Sequence, residues 1–407
     1  LSSEDLQLGG SSLGQVLNQL GQHTPGIADA ERFKKAFNTL QKLINDNRII
    51  AGHDISSGGL LTTLLEMCFA QTKVGMSIDL SALGENDDVK LLFAENSGLV
   101  FQSTSSDVAD EFKFHGIECF EIGTAVKGNS LTVKNGINSY DFSIPKLRDV
   151  WYETSYLLDK KQSGEEKALE RYSNYKNQPI TFEFPEKFTG KLPERPAADK
   201  RIKAAIIREK GSNSEREMAY AMYLAGFDVK DVHMTDLISG RENLEDIQFI
   251  AAVGGFSNSD VLGSAKGWAG AFLYNEKAKN ALNNFFNRPD TLSLGVCNGC
   301  QLFVELGLIN PNHDIKPRML HNDSYKFECT FSAVEIQENT SVMLSSLAGS
   351  TLGIWSAHGE GKFELPKSEN AYNITAKFAY SGYPANPNCS DYNAAMLNSD
   401  DGRHLVM

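Results

Sequence analysis

Gly295-Val296-Cys297-Asn298-Gly299-Cys300-Gln301 is the stretch on which the reading of this chain turns. It follows the apolar run Thr291-Leu292-Ser293-Leu294, which reads as a buried strand, and precedes Leu302-Phe303-Val304-Glu305-Leu306, which reads as the start of a helix. A strand, a Gly-x-Cys-x-Gly turn and a helix make a nucleophile elbow. Such a turn demands strained backbone angles, and glycines on either side keep β-carbons out of the way. Cys297 then stands at the tip, near a helix N-terminus whose dipole is expected to favour thiolate over thiol. The pattern points to a reaction class: thiolate attack on a carbonyl, with backbone N–H groups holding the oxyanion. Cys297 and Cys300 also form a Cys-x-x-Cys, which leaves open half a metal site, a redox pair or two structural thiols. The remaining cysteines, at 68, 119, 329 and 389, are scattered and supply no second such pair. Cys297 is the expected nucleophile; Cys300, one helical turn on, is expected to pack.

Outward from the elbow the chain divides into three regions. From Arg201 onward strands and helices alternate. Lys203–Ile207, Phe227–Val232 and Phe249–Val253 read as strands, and Ser214–Ala225 as a helix. This alternation predicts a mainly parallel sheet covered by helices, with the elbow at the C-terminal end of a strand, where open α/β sheets place their sites. Residues 147–200 are polar and proline-bearing, a linker containing a helix. Residues 1–146 again alternate, with a helix around Ala36–Ile44 and strands at Arg48–Ala51, Gly98–Gln102 and Ser130–Val133. The 407 residues are enough for two or three domains with substantial cores. A net charge of −13 argues against a nucleic-acid or anionic-membrane surface. No apolar stretch is long enough to span a bilayer. Six cysteines in so long a chain form no disulfide framework, which points to reduced thiols and a cytoplasmic setting.

Three further motifs carry chemistry. Gly254-Gly255-Phe256-Ser257 ends a buried strand; with Asn298 N–H its amides are candidate oxyanion donors, and an ordinary tight turn is the alternative. Ser356-Ala357-His358-Gly359-Glu360-Gly361 offers a His-x-Glu spacing, either base and orienting carboxylate for Cys297 or a structural loop. His53-Asp54-Ile55-Ser56-Ser57-Gly58-Gly59 follows a strand and opens a helix. Its glycine N–H groups suit phosphate, Asp54 suits Mg²⁺ and Ser56 suits a phosphate oxygen; a simply capped helix is the alternative.

Together these segments resemble the formylglycinamide ribonucleotide amidotransferases in their large single-chain form. The matching residues are Gly254–Ser257 with Asp260-Val261-Leu262-Gly263, the elbow, Asp231–Leu237, Asn322–Glu328, His358–Gly361 and Tyr383–Asn388, and in the first region Leu8–Ser11 and His53–Leu60. The resemblance covers essentially the whole chain. It implies a class I glutamine amidotransferase domain, flavodoxin-like, over 201–407. Residues 1–146 would be the C-terminal α/β half of a synthetase-like domain of the aminoimidazole ribonucleotide type. The implied activity is an ATP- and Mg²⁺-dependent carbon–nitrogen ligase of purine biosynthesis. It would convert formylglycinamide ribonucleotide and glutamine to formylglycinamidine ribonucleotide, with ammonia travelling through an internal channel. Cys297 would form a γ-glutamyl thioester. Gly254, Gly255, Asn298, Gln301, Asn322, Ser324 and His358 would serve the oxyanion and glutamine, Asp54 the metal and Ser56 the nucleotide. The remaining domains of a longer chain would be partners. The family's catalytic His-x-Glu stands in a Pro-His-Pro-Glu stretch after a strand like His404–Met407. The chain is therefore expected to stop short of that pair and to hydrolyse glutamine poorly, with His358 a loop residue of the site. An inert binding module that keeps the fold is the alternative. Ser57 stands where the family has an acidic residue, Asn258 where it has an aromatic, and Ser259 and Cys389 where it has glycine.

Overall fold

The computed structural model describes residues 6–192 and 194–407. Leu1–Asp5, at the start of the first expected region, and Pro193, in the proline-bearing linker run, lie outside the described residues. The chain forms two compact units, Leu1–Thr154 and Ser155–Met407.

Among the described residues the first unit contains six strands: β1 (Ile49–Ile55), β2 (Val74–Asp79), β3 (Gly98–Ser103), β4 (Gly123–Lys127), β5 (Ser130–Asn135) and β6 (Asn138–Ser143). β1 and β3 pair antiparallel, and β4-β2-β5-β6 form a second sheet. Helix Gly59–Phe69 is apolar nearly all round. Its Leu60, Leu61, Leu64 and Leu65 join Leu131, Val133 and Ile78 in one core, as an all-round apolar helix must. Helix Ala30–Asn45 is amphipathic and starts at Asp29, whose carboxylate accepts the Arg32 N–H.

The long helix Ile144–Asn174 breaks at Gly164 (φ 79°, ψ 169°), and from Ser155 on it belongs to the second unit. Polar contacts fix it there. Arg171 Nη2 lies 3.0 Å from Glu328 Oε2, Lys326 Nζ lies 2.6 Å from Asp159 Oδ1, and the Tyr383 hydroxyl donates to Glu328 at 2.7 Å. Glu328 is buried, and a buried carboxylate persists only where it is paired in this way.

The second unit carries β7 (Lys203–Arg208), β8 (Asp228–His233), β9 (Phe249–Ala252), β10 (Leu292–Gly295), β11 (Arg318–Leu320), β12 (Glu328–Ile336), β13 (Thr351–His358), β14 (Lys362–Glu364), β15 (Asn373–Phe378), β16 (Ala394–Asn398) and β17 (His404–Val406). Nine of them form one sheet in the order β13-β12-β15-β16-β17-β10-β9-β7-β8, and β11 pairs with β14. Within that sheet β8-β7-β9-β10-β17 are parallel. Counted along the chain this is a 2-1-3-4-5 order, the flavodoxin-like arrangement. The other four strands extend it antiparallel.

Parallel strands covered on both faces must be apolar where they are covered, and β9 and the stretch 204–207 of β7 are. Ala205, Ile207, Ile250 and Ala252 face a core with Trp268, Phe272, Phe285 and Phe303. Ala204, Ile206, Phe249 and Ala251 face Met222 of helix Glu215–Leu224.

Positions 259 and 389 stand at φ 57° and 58°. This is the left-handed region, where a β-carbon costs about 1–2 kcal/mol. Here they carry serine and cysteine, where the resemblance has glycine. We expect Ser259→Gly and Cys389→Gly each to stabilise the chain by up to about 1 kcal/mol after glycine's extra unfolded-state entropy. Thermal denaturation reads this as a raised midpoint; an unchanged or lower midpoint would mean these turns relax without strain.

Candidate active site

The expected elbow is present. β10 ends at Gly295, helix Asn298–Glu305 begins directly after Cys297, and Cys297 itself sits at φ 56°, ψ −111°. Three hydrogen bonds hold it: Val296 N–H to Ala252 O (3.0 Å), Cys297 N–H to Met407 O (2.9 Å) and Gln301 N–H to Cys297 O (3.1 Å). The flanking glycines act through close packing. A β-carbon on Gly299 would lie 2.0 Å from Ala252 O, and one on Gly295 would lie 2.7 Å from Gly299 O. A β-carbon on Gly254 would lie 3.3 Å from that of Cys297, so the ends of β9 and β10 meet at the nucleophile.

The thiol differs from the sequence expectation in one respect. Burial pushes the Cys297 thiol up, not down. The N–H groups of Gly255 and Asn298 hydrogen-bond the sulfur and pull the other way, and the charge of Asp260 adds to the upward push. Desolvation outweighs a helix of only eight residues. The sulfur makes its remaining hydrogen bond to Ala357 O at 3.8 Å. Among the described residues no imidazole is hydrogen-bonded to it. Cys300 is fully buried in the core, and its thiol is pushed far up by that burial. Among the described residues no group of three His, Cys, Asp or Glu side chains stands ready for a metal.

A cavity of about 550 Å³ opens beside Cys297, lined by Gly254, Gly255, Gln301, His358 and Glu360 among others. A run of side-chain amides joins its walls. Asn298 Oδ1 accepts the Ser257 N–H at 3.1 Å, and Asn298 Nδ2 donates to Gln301 Oε1 at 2.7 Å. Gln301 Nε2 donates to Glu360 O at 2.9 Å. Asn322 Nδ2 donates to His358 O (2.6 Å), and Asn322 Oδ1 accepts the Gly361 N–H (3.1 Å). These amides pin the Gly254–Ser257 turn and the His358–Gly361 loop to the elbow. Two expected contacts are thereby corrected. Asn322 is fully buried with its amide engaged by the loop backbone, so it positions that loop instead of meeting a ligand. Ser324 is likewise fully buried. Neither lines the cavity. His358 lines it, and burial lowers its imidazole to about 4, so it is neutral at pH 7.

In the first unit the glycine loop also differs from expectation. Gly58 N–H and Ser12 N–H both donate to Glu95 Oε1 at 2.8 Å, and Gly59 N–H donates to Ser56 O at 2.9 Å. The amides expected to be open to phosphate are therefore engaged, one of them by a carboxylate. Burial acts to raise the Glu95 carboxyl, but the Gly58 and Ser12 donors hold it below its ordinary value. Glu95 is a residue the sequence reading missed. Asp54 and Ser56 are exposed. Asp54 Oδ1 lies 3.6 Å from His53 Nδ1, and His53 Nε2 lies 3.1 Å from Glu66.

With this geometry established, residues 201–407 match the model of the CobB/CobQ-like glutamine amidotransferase domain. The chain belongs to this amidotransferase family. Residues 1–135 match the AIR synthase related protein, C-terminal domain. The "Probable phosphoribosylformylglycinamidine synthase, chloroplastic/mitochondrial" of Arabidopsis thaliana is 38% identical over 98% of this chain and 30% of its own length. The Homo sapiens phosphoribosylformylglycinamidine synthase is 38% identical over 100% of this chain and 33% of its own length. The chain thus spans about a third of these curated relatives. The structure of PurLQS from Thermotoga maritima aligns with a TM-score of 0.41 at 24% identity, covering 50% of this chain and 85% of that one. No helix among the described residues is long and apolar enough to cross a membrane.

A raised thiol pKa has a direct consequence. Only thiolate reacts with a small neutral alkylating agent, so the rate of Cys297 modification by iodoacetamide should still be climbing above about pH 8.5, the pKa of an ordinary cysteine. Peptide mapping against pH measures it. A plateau at or below pH 7 would show a thiolate stabilised despite burial.

Proposed function

We propose that the second unit is a glutaminase whose nucleophile is Cys297. The observation that carries this reading is the placement of its sulfur against two backbone N–H groups, those of Gly255 and Asn298, at a cavity that Cys297 lines. In this reading Cys297 Sγ attacks the carboxamide carbon of glutamine. The carbonyl oxygen becomes an oxyanion held by those two N–H groups, with Gly254 leaving room for it. The proton that the thiol gives up passes to the amide nitrogen, the C–N bond breaks, ammonia leaves, and a γ-glutamyl thioester remains for water to hydrolyse to glutamate, which frees the thiol again. Gln301 holds the cavity wall and His358 meets the glutamine. The lack of a thiol–imidazole hydrogen bond among the described residues and the raised thiol both support slow turnover.

By the names of its relatives, the ammonia would serve the ligase step that makes formylglycinamidine ribonucleotide from formylglycinamide ribonucleotide in purine biosynthesis. The ammonia would pass through a channel shared with other domains of a longer protein. When bound, ATP with Mg²⁺ supplies activation of the amide oxygen. Asp54, an exposed carboxylate, fits as one Mg²⁺ ligand beside waters and phosphate oxygens. Ser56 fits a nucleotide contact. The Gly58 amide fits phosphate only after Glu95 withdraws. Six free cysteines suit a reducing compartment such as the cytoplasm. The same raised thiol is what favours the second reading, a binding module without turnover.

The glutamine-mimicking electrophile 6-diazo-5-oxo-L-norleucine separates the two. Mass-spectrometric mapping should find it on Cys297, with glutamine slowing the reaction and Cys297→Ser abolishing it. Label on another residue, or none, contradicts the glutaminase reading and favours the binding module.

A further inference from the structure

From Ser155 on, the helix Ile144–Asn174 is folded back at Gly164. In a continuous α-helix, rising about 1.5 Å per residue, Asp159 and Arg171 would stand about 18 Å apart along the axis. Instead Arg171 Nε lies 3.1 Å from Asp159 Oδ2, and the rings of Tyr156 and Tyr172 stack with their centroids 4.8 Å apart. Gly164 permits the fold. Its φ 79° and ψ 169° fall in a region essentially closed to residues with a β-carbon. A β-carbon there would meet no described residue within 4 Å, so conformation alone, not packing, requires the glycine.

The folded segment grips two residues of the run that leads into β12. Lys326 Nζ lies 2.6 Å from Asp159 Oδ1, which also accepts the Ser163 hydroxyl at 2.7 Å. Arg171 Nη2 lies 3.0 Å from Glu328 Oε2, and its guanidinium lies 4.5 Å from the centre of the Tyr383 ring. The Tyr383 N–H donates to Glu170 Oε1 at 2.9 Å, and its carbonyl accepts from Asn174 Nδ2 at 2.8 Å. Asp159, Glu328 and Tyr383 are buried. A buried ion pair adds little stability over apolar packing of the same volume, so stability alone gives no reason for Asp159, Arg171, Lys326 and Glu328 to meet here. What such a network does is define where its members lie.

Lys326 and Glu328 in turn carry the wall of the cavity. Glu328 is the residue of β12 that pairs with His358 of β13. The Lys326 carbonyl accepts from Asn322 Nδ2 at 3.1 Å, and the same amide donates to His358 O at 2.6 Å. Asn322 also takes the Gly361 N–H on its Oδ1 and gives its own N–H to Gly359 O, both at 3.1 Å. Phe327, between the two gripped residues, lines the cavity itself. The loop His358–Gly361 is thus held from the residues that the folded segment grips.

We propose that the hairpin folded at Gly164 is a positioning element of the Cys297 site, with Asp159 and Arg171 holding the His358–Gly361 loop in place through Lys326 and Glu328. The inference rests on the glutaminase reading for the use of that loop. Neither Asp159 nor Arg171 touches the reacting atoms. With their grip released, the backbone around the sulfur shifts: Ala357 O, which accepts from the thiol, and Glu360 O, which holds Gln301, both belong to it. A misplacement of about 1 Å can cost a reaction that needs a seated substrate about a hundredfold, while simple alkylation of the thiol makes no such demand.

Two variants test this: Gly164→Ala, which adds one methyl group to open space, and Asp159→Ala. The first readout is the ratio of the rates at which 6-diazo-5-oxo-L-norleucine and iodoacetamide modify Cys297. The second is hydrogen–deuterium exchange in the peptides that cover His358–Gly361 and β7. Each variant should lower the ratio about tenfold or more and speed exchange in the loop peptide while β7 stays as protected as before. A merely structural role would loosen β7 along with the loop. A ratio that holds in either variant, or a loop whose exchange rises no more than that of β7, overturns the inference and leaves the role of Cys297 intact. Failure of the diazo reagent to modify Cys297 in the unaltered chain overturns the glutaminase reading itself, and the exchange data still read whether the hairpin holds the loop.

Discussion

The site depends on holding one residue, Cys297, in a backbone conformation that L-residues avoid. At φ 56° and ψ −111° its backbone is strained, at a cost on the order of 1–3 kcal/mol. Hydrogen bonds to Ala252, Met407 and Gln301 at 2.9–3.1 Å offset that cost, each contributing about 1 kcal/mol net. Strain is tolerated because the strands around it are buried on both faces and cannot shift cheaply. The helix Asn298–Glu305 lies so close to β9 that Gly299 admits no β-carbon. The sulfur is therefore delivered to the amides of Gly255 and Asn298 by packing, with no side-chain partner needed to aim it.

That placement fixes the electrostatics. A site closed enough to present two N–H groups to sulfur is also dry enough to penalise thiolate, and desolvation wins. The same dryness lowers His358 to about 4 and raises the Asp260 carboxyl. Each departure from ordinary protonation follows from one cause, burial without charge compensation.

The elbow was legible in sequence because it rests on local constraints: glycines at fixed spacing between an apolar strand and the start of a helix. The parallel strands were legible for a similar reason, since β7 and β9 have to be apolar on both faces. The antiparallel extension β12–β16 carries no such local signature. The polar residues were read less well. Asn322 and Ser324 are of types that suit ligand contact, but an amide's identity does not say which backbone it will bond. Asn322 turns inward to the His358–Gly361 loop. Glu95 went unnoticed because its partners, Gly58 and Ser12, are backbone amides 37 and 83 residues away along the chain.

Trapping the covalent intermediate tests the central claim most directly. Protein incubated with carbon-labelled glutamine would be quenched in acid and digested. The account predicts label on the peptide bearing Cys297, released by hydroxylamine as a thioester should be. Glutamate formed without any hydroxylamine-labile label at Cys297 would contradict it.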